Sequence, residues 1–343
     1  MKKISFTFAA ATMIFAVGIG MSLLTSCEGP AGPAGQDANE TCIQCHNDKV
    51  TVLAKMTQTA NSGHQTGTTF ERSTADCAPC HTHQGYLEVL ATGEQTTAED
   101  VSNPVPANCR TCHMIHENYD STDFALRGQS PVAMLINGVD VDLGHSNVCV
   151  SCHQPRIPDP MPTLDGGNVT LTSNRWGPHH GTQSAVVWGT GGYEVSGTVS
   201  YPQAGSGAVH SGAGCVKCHM AEPFGAFAGG HTFGLSYDYH GSEVDLVAGC
   251  NTCHSNVEDF SYDGVQTQDS TLLANLKTNL VDAGILNAGS GLVNASSSKP
   301  LTISSDQAGA LLNYYLIMED RSMGIHNPAY AKALLQNSIE VFN

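Results

Sequence analysis

The chain has 343 residues, of which 6% are aromatic, 36 are glycine and 15 are proline. That balance argues for a loop-rich body rather than a sheet or helix framework. The 31 acidic and 14 basic side chains give a formal net charge of −17. This disfavours nucleic acid and anionic lipid headgroups, and it suits basic partners or cationic mineral surfaces.

At the start, Met1-Lys2-Lys3 is basic and Ile4 to Leu24 is apolar and uncharged, the pattern of an export signal. The stretch is also long enough for a spanning helix, but the residues at its end favour cleavage. Leu24-Thr25-Ser26-Cys27 resembles the lipobox of bacterial lipoproteins, which implies a signal peptide over 1–26 and acylation of Cys27. A tether over 27–40 comes next. Within it, Glu28 to Asp37 carries glycine at every third residue, in too few triplets for collagen.

From residue 41 a five-residue pattern recurs six times. It comprises Cys42 and Cys45 with His46, Cys77 and Cys80 with His81, and Cys109 and Cys112 with His113. It continues with Cys149 and Cys152 with His153, Cys215 and Cys218 with His219, and Cys250 and Cys253 with His254. Twelve of the 13 cysteines lie in these units, and Cys27 is the one outside them. Two thiols at this spacing can each form a thioether with a vinyl group of one haem, while the histidine directly after them ligates the iron. Zinc sites do not demand histidine directly after every pair. A redox dithiol is normally single and sits beside a βαβ pattern, and a disulfide framework gives no reason for the trailing histidine. The sequence therefore calls for six covalent haem c groups with proximal ligands His46, His81, His113, His153, His219 and His254.

The six-haem core is expected over 41–260, as a loop-rich multihaem cytochrome c with short α-helices around stacked haems. The pieces between motifs are too short for a conventional hydrophobic core, so each motif should open a short helix against a haem. The longest interval, about 154–214, is read as a β-type insert. Asn168 to Ser173 alternates like a strand, and Tyr193, Val195, Val199 and Tyr201 are evenly spaced, which suggests a hairpin. A helical tail over 261–343 closes the chain. A stripe runs from Ser270 to Leu286, a second helix opens at Ser305-Asp306, and a third at Asn327-Pro328.

Sixteen histidines leave ten beyond the motifs, enough to give every iron a second imidazole. Such a pair closes both axial positions and favours conduction over substrate binding. The candidate distal ligands are His64, His116, His180, His210, His231 and His326, with one of the His179-His180 pair expected to ligate. His83, His145 and His240 are read as surface or hydrogen-bonding residues.

These motifs resemble those of bacterial multihaem c-type cytochromes that respire with extracellular or periplasmic acceptors. Gly324-Ile325-His326-Asn327-Pro328-Ala329-Tyr330, with Leu334-Leu335 beyond it, is similar to the histidine-bearing helix start of ammonia-forming nitrite reductases. That resemblance implies a ligand role for His326. It extends no further, because the lysine-bearing active-site motif of those enzymes does not occur here. The implied function is electron transfer at the cell envelope outside the cytoplasm, in a protein lipid-anchored at the outer membrane. Its partners would be redox proteins or an external acceptor. The alternatives are a reductase of a small nitrogen or sulfur oxyanion, and a homo-oligomer assembled as an extracellular haem filament.

Overall fold

A computed structural model describes His46 and residues 50–205 and 209–343. The signal, the tether, Cys27, Cys42 and Cys45 lie outside the described residues. From Asp48 to Asn343 the chain forms one compact unit. Among the described residues no helix is long and apolar enough to cross a membrane.

The helices that hold this unit together lie at the C-terminal end, where the sequence supplies clear starts. Ser305–Asp320 begins with a capping box, in which Ser304 accepts from the Gln307 N–H and Gln307 accepts from the Ser304 N–H. Pro328–Glu340 begins with a proline, and the Asn327 side chain accepts from the Tyr330 N–H at 3.2 Å. Val265–Asp282 has no side-chain cap and is held by its buried face, Leu276 and Leu280.

A conventional hydrophobic core does exist, contrary to the expectation from the short inter-motif pieces. Leu311, Leu312, Leu316 and Leu334 of the C-terminal helices meet Met134, Val150, Leu171 and Val186, all at most 1% exposed. The C-terminal segment is thus the scaffold on which the middle of the chain folds.

The hairpin expected within 154–214 is also corrected. Among the described residues this interval holds one strand, Asn168–Leu171, and its antiparallel partner is the distant Leu301–Ser304. Thr170 and Thr302 hydroxyls meet across that pair at 3.0 Å. The evenly spaced Tyr193 to Tyr201 is not a strand, because its backbone groups are taken by asparagine side chains instead of a ladder. Asn313 accepts from the Tyr193 N–H at 2.7 Å and donates to the Tyr193 carbonyl at 2.8 Å. Asn337 does the same for Val199, at 3.0 and 2.8 Å. A Cβ at Gly309 would stand 2.1 Å from the Tyr193 ring, so glycine lets that ring lie flat on the helix. Two-stranded hairpins occur elsewhere, as Val132–Ala133 with Asp140–Val141 and as Ser236–Tyr239 with Ser242–Asp245.

Asn313→Ala should strand the buried Tyr193 N–H and carbonyl at a cost of about 2–4 kcal/mol. Urea denaturation would register the lowered midpoint, and amide exchange at Tyr193 should accelerate. An unchanged midpoint would show that the clamp contributes nothing to stability.

Candidate metal centres

Each described motif is a single helical turn. Ala78–His81, Cys109–Cys112 and Asn147–Val150 are short α-helices, Cys215 to His219 ends the helix Val209–His219, and Cys250–Thr252 is a 3-10 turn. One turn brings residues three apart onto the same face, which sets the two thiols of a motif side by side. The motif histidine closes that turn with its own N–H. His81, His113, His153 and His254 donate to the carbonyl of the first cysteine at 3.2, 2.9, 2.9 and 2.8 Å. None of the ten described cysteines is in a disulfide.

Five motif histidines each face one histidine from elsewhere in the chain. The ring centroids are 6.0 Å apart for His153 and His64, and 6.2 Å for His81 and His179, His113 and His231, and His254 and His210. They are 6.3 Å apart for His219 and His326. The interplanar angle varies from 28° to 83° over the same pairs. In a direct aromatic contact the separation changes with tilt. A spacing held within 0.3 Å while tilt varies is what two imidazoles sharing one metal ion would give, since coordination fixes the separation and leaves ring rotation free. Two metal–imidazole bonds of about 2.0 Å plus two ring radii total about 6.3 Å. Among the described residues no three His, Cys, Asp or Glu side chains converge on a bare-ion site. Two opposed imidazoles with the two cysteines of a motif beside one of them would suit a metal whose remaining donors belong to a macrocycle.

Hydrogen bonds behind the rings set the tautomer. His113 Nδ1 lies 2.7 Å from the Phe124 carbonyl, His219 Nδ1 2.9 Å from that of Phe233, and His210 Nδ1 2.6 Å from that of Ile325. His153 Nδ1 is 3.2 Å from Gln183 Oε1, and His326 Nδ1 is 2.6 Å from Asp320 Oδ1. With the proton on Nδ1, Nε2 keeps its lone pair for a metal. Burial first, and positive neighbours second, lower His64, His179 and His231 to about 4, which keeps these rings neutral.

Local structure explains why these residues arrive here. Gln58, in the helix Val50–Ala60, donates to the Gly225 carbonyl at 2.8 Å and accepts from the His231 N–H at 3.1 Å, so one buried amide sets the loop that carries His231. His64 comes just after that same helix, and its ring meets Phe233 edge-on at 5.0 Å. His326 lies past the run Arg321, Met323 and Gly324, all at positive φ. A Cβ at Gly324 would fall 2.3 Å from Asp269 Oδ2, so the turn needs glycine.

Of the six candidate distal ligands, His64, His210, His231 and His326 lie in these pairs. His180 does not: His179 is the member of the doublet that faces His81. His179, at φ +64°, and His180 are both exposed, but the His179 ring lies 6.2 Å from His81 while His180 Nδ1 meets Glu319 at 2.7 Å. Glu319 is far off in sequence, so only the doublet itself was there to be read. His116 stacks on Tyr119 at 5.4 Å, and its N–H donates to Asp123 at 2.7 Å. His83 Nδ1 is 2.9 Å from Thr111 Oγ1 and His145 Nδ1 is 2.9 Å from Gln129 Oε1, while His240 packs on Tyr239. His46 is exposed.

The motif turns also touch one another. Cys80 Sγ lies 3.9 Å from the Ser151 carbonyl and Cys152 Sγ lies 3.8 Å from that of Pro79, so the second and fourth motifs pack reciprocally. Ser146, just before the fourth motif, accepts from the N–H groups of Cys215 and Val216 at 2.9 and 3.2 Å. A Cβ at Gly249 would stand 2.9 Å from both Cys218 Cα and the Lys217 carbonyl. That glycine lets the sixth motif lie directly on the fifth. The second, fourth, fifth and sixth motifs thus form a continuous run.

No protein-family model matches the chain. The c-type polyheme cytochrome OmcB of Geobacter sulfurreducens is 23% identical, in a match covering 77% of this chain and 37% of that protein. OmcC of the same organism is 24% identical over 59% of this chain and 31% of that protein. The chain therefore spans only about a third of the length of these relatives. Among solved structures, the outer cell wall cytochrome OcwA has a similar fold, with a TM-score of 0.50 and 19% identity over 84% of this chain and 50% of that one. The repeated motifs, the opposed imidazoles and these likenesses agree on a multihaem c-type cytochrome.

Proposed function

We propose that this chain conducts electrons through six covalently attached, bis-histidine c-type haems at the bacterial cell envelope. The observation that carries the reading is the set of five imidazole pairs with nearly one spacing. In each, a motif histidine is the proximal ligand and His64, His179, His210, His231 or His326 the distal one. His116 is kept as a further candidate distal ligand. A haem c closed by two imidazoles supplies a one-electron couple with no open position for substrate.

The chain's residues do the remaining work. The thiols of each motif, Cys42 and Cys45 included, fix the group covalently. The paired imidazoles close both axial sides, which favours conduction over the oxyanion-reductase reading. The packing of the second, fourth, fifth and sixth motif turns on one another keeps those centres in a run, as a conductor requires. Cys27 acylation would hold this run at a membrane, and the acidic composition suits basic redox partners or a cationic external acceptor. The name of OcwA, an outer cell wall cytochrome, supports an envelope location. The relatives are much longer, so the donor and acceptor here are this chain's own to be found.

In the purified oxidised protein every iron should be low-spin, with no carbon monoxide binding after reduction. His179→Ala should open one iron to carbon monoxide and His180→Ala none. The reverse result would return the ligand role to His180.

Cys27→Ala should move the cytochrome from the membrane fraction to the soluble one. Retention in the membrane fraction would instead favour an uncleaved N-terminal helix.

A further inference from the structure

Among the described residues, one carboxylate is hydrogen-bonded to a paired imidazole. The described hydrogen bonds behind His113, His219 and His210 go to backbone carbonyls, and that behind His153 goes to an amide oxygen. Behind His326 stands Asp320, at 2.6 Å and with its side chain wholly buried. Resting on the reading that His219 and His326 hold an iron between them, we propose that Asp320 tunes this centre. Its buried negative charge on His326 Nδ1 gives the ligand imidazolate character and makes this the lowest-potential of the five paired centres.

The geometry supports a fixed rather than a swinging carboxylate. Asp320 ends the helix Ser305–Asp320, and Ser322 Oγ donates to its Oδ2. The same Ser322 oxygen accepts from the His326 N–H at 3.2 Å, so the loop between acid and ligand is closed on itself. Gln183, which stands behind His153, also donates to the Glu319 carbonyl at 3.0 Å. Asp269 approaches from the helix Val265–Asp282; it is 1% exposed and its Oδ2 has no hydrogen-bond partner. Burial first, and the Asp320 charge second, push its carboxyl up to about 7. The two neighbouring buried acids thus differ in their partners: Asp320 is bonded to Ser322 Oγ and His326 Nδ1, whereas Asp269 Oδ2 has none. His153 and Cys215 are the other titratable groups close to His326.

The direction of the effect is set by charge. A carboxylate that draws the Nδ1 proton makes Nε2 more basic, and an unneutralised negative charge in a low-dielectric setting favours the more positive oxidised metal. The fifth motif lies between the fourth and the sixth in the packed run, so an electron would reside least readily at an interior position.

The test is Asp320→Asn, which keeps size and removes charge, read by spectroelectrochemical titration and electron paramagnetic resonance of the intact protein. The expected result is six attached haems, all low-spin, with one midpoint raised by at least a tenfold change in the oxidised-to-reduced ratio, about 59 mV for one electron. The shifted centre should be the one that His326→Ala opens to carbon monoxide. Ser322→Ala, which removes a donor competing for the same carboxylate, should move that centre the opposite way. Unchanged midpoints in Asp320→Asn would overturn the tuning role. So would a new carbon monoxide site in that variant, which would make Asp320 a strut holding His326 in place. If His326→Ala itself opens no iron, the ligand reading fails rather than the tuning.

Discussion

The structure depends on a constraint between side chains that do not touch. Two imidazoles held about 6 Å apart, whatever their mutual tilt, must each be fixed by hydrogen bonds and packing behind the ring. That requirement accounts for features that would otherwise look unrelated. The buried Gln58 amide sets the His231 loop, the positive-φ run before His326 returns the chain to its helix, and carbonyls of Phe124, Phe233 and Ile325 are spent on histidine rings.

The apolar core serves the same end. The C-terminal helices carry no motif, yet they position the Asn327 cap, Asp320, and the Glu319 carboxylate that engages His180. They also clamp Tyr193 and Val199 through Asn313 and Asn337. Motif turns of four or five residues could not order themselves by propensity alone, since short helices are marginal in water. Leaning them on one another and on the C-terminal helices supplies what local sequence does not.

How much of this is legible in the sequence depends on range. The motifs and the starts of the two capped helices are local chemistry, set by residues three or four apart, and so they could be read directly. The partner of each motif histidine is a long-range fact. His64, His210, His231 and His326 could be named as candidates, but nothing nearby in sequence says that His64 meets His153. The doublet shows the limit most clearly, because the choice between His179 and His180 rests on one backbone dihedral and on a carboxylate 139 residues away. The expected hairpin failed for a related reason. Even spacing reports one face buried, not the surface that buries it, and here that surface is helical, with asparagine amides replacing a strand.

The imidazole pairs join residue 64 to 153, 81 to 179, 113 to 231, 210 to 254 and 219 to 326. These closures overlap like links, so every point between residues 64 and 326 lies between the two members of at least one pair. Along the sequence, then, the set of pairs has no gap between residues 64 and 326. A protease nick in any loop of that span would leave the two members of at least one pair on different fragments, held together by packing and hydrogen bonds instead of by the chain, however exposed the loop itself.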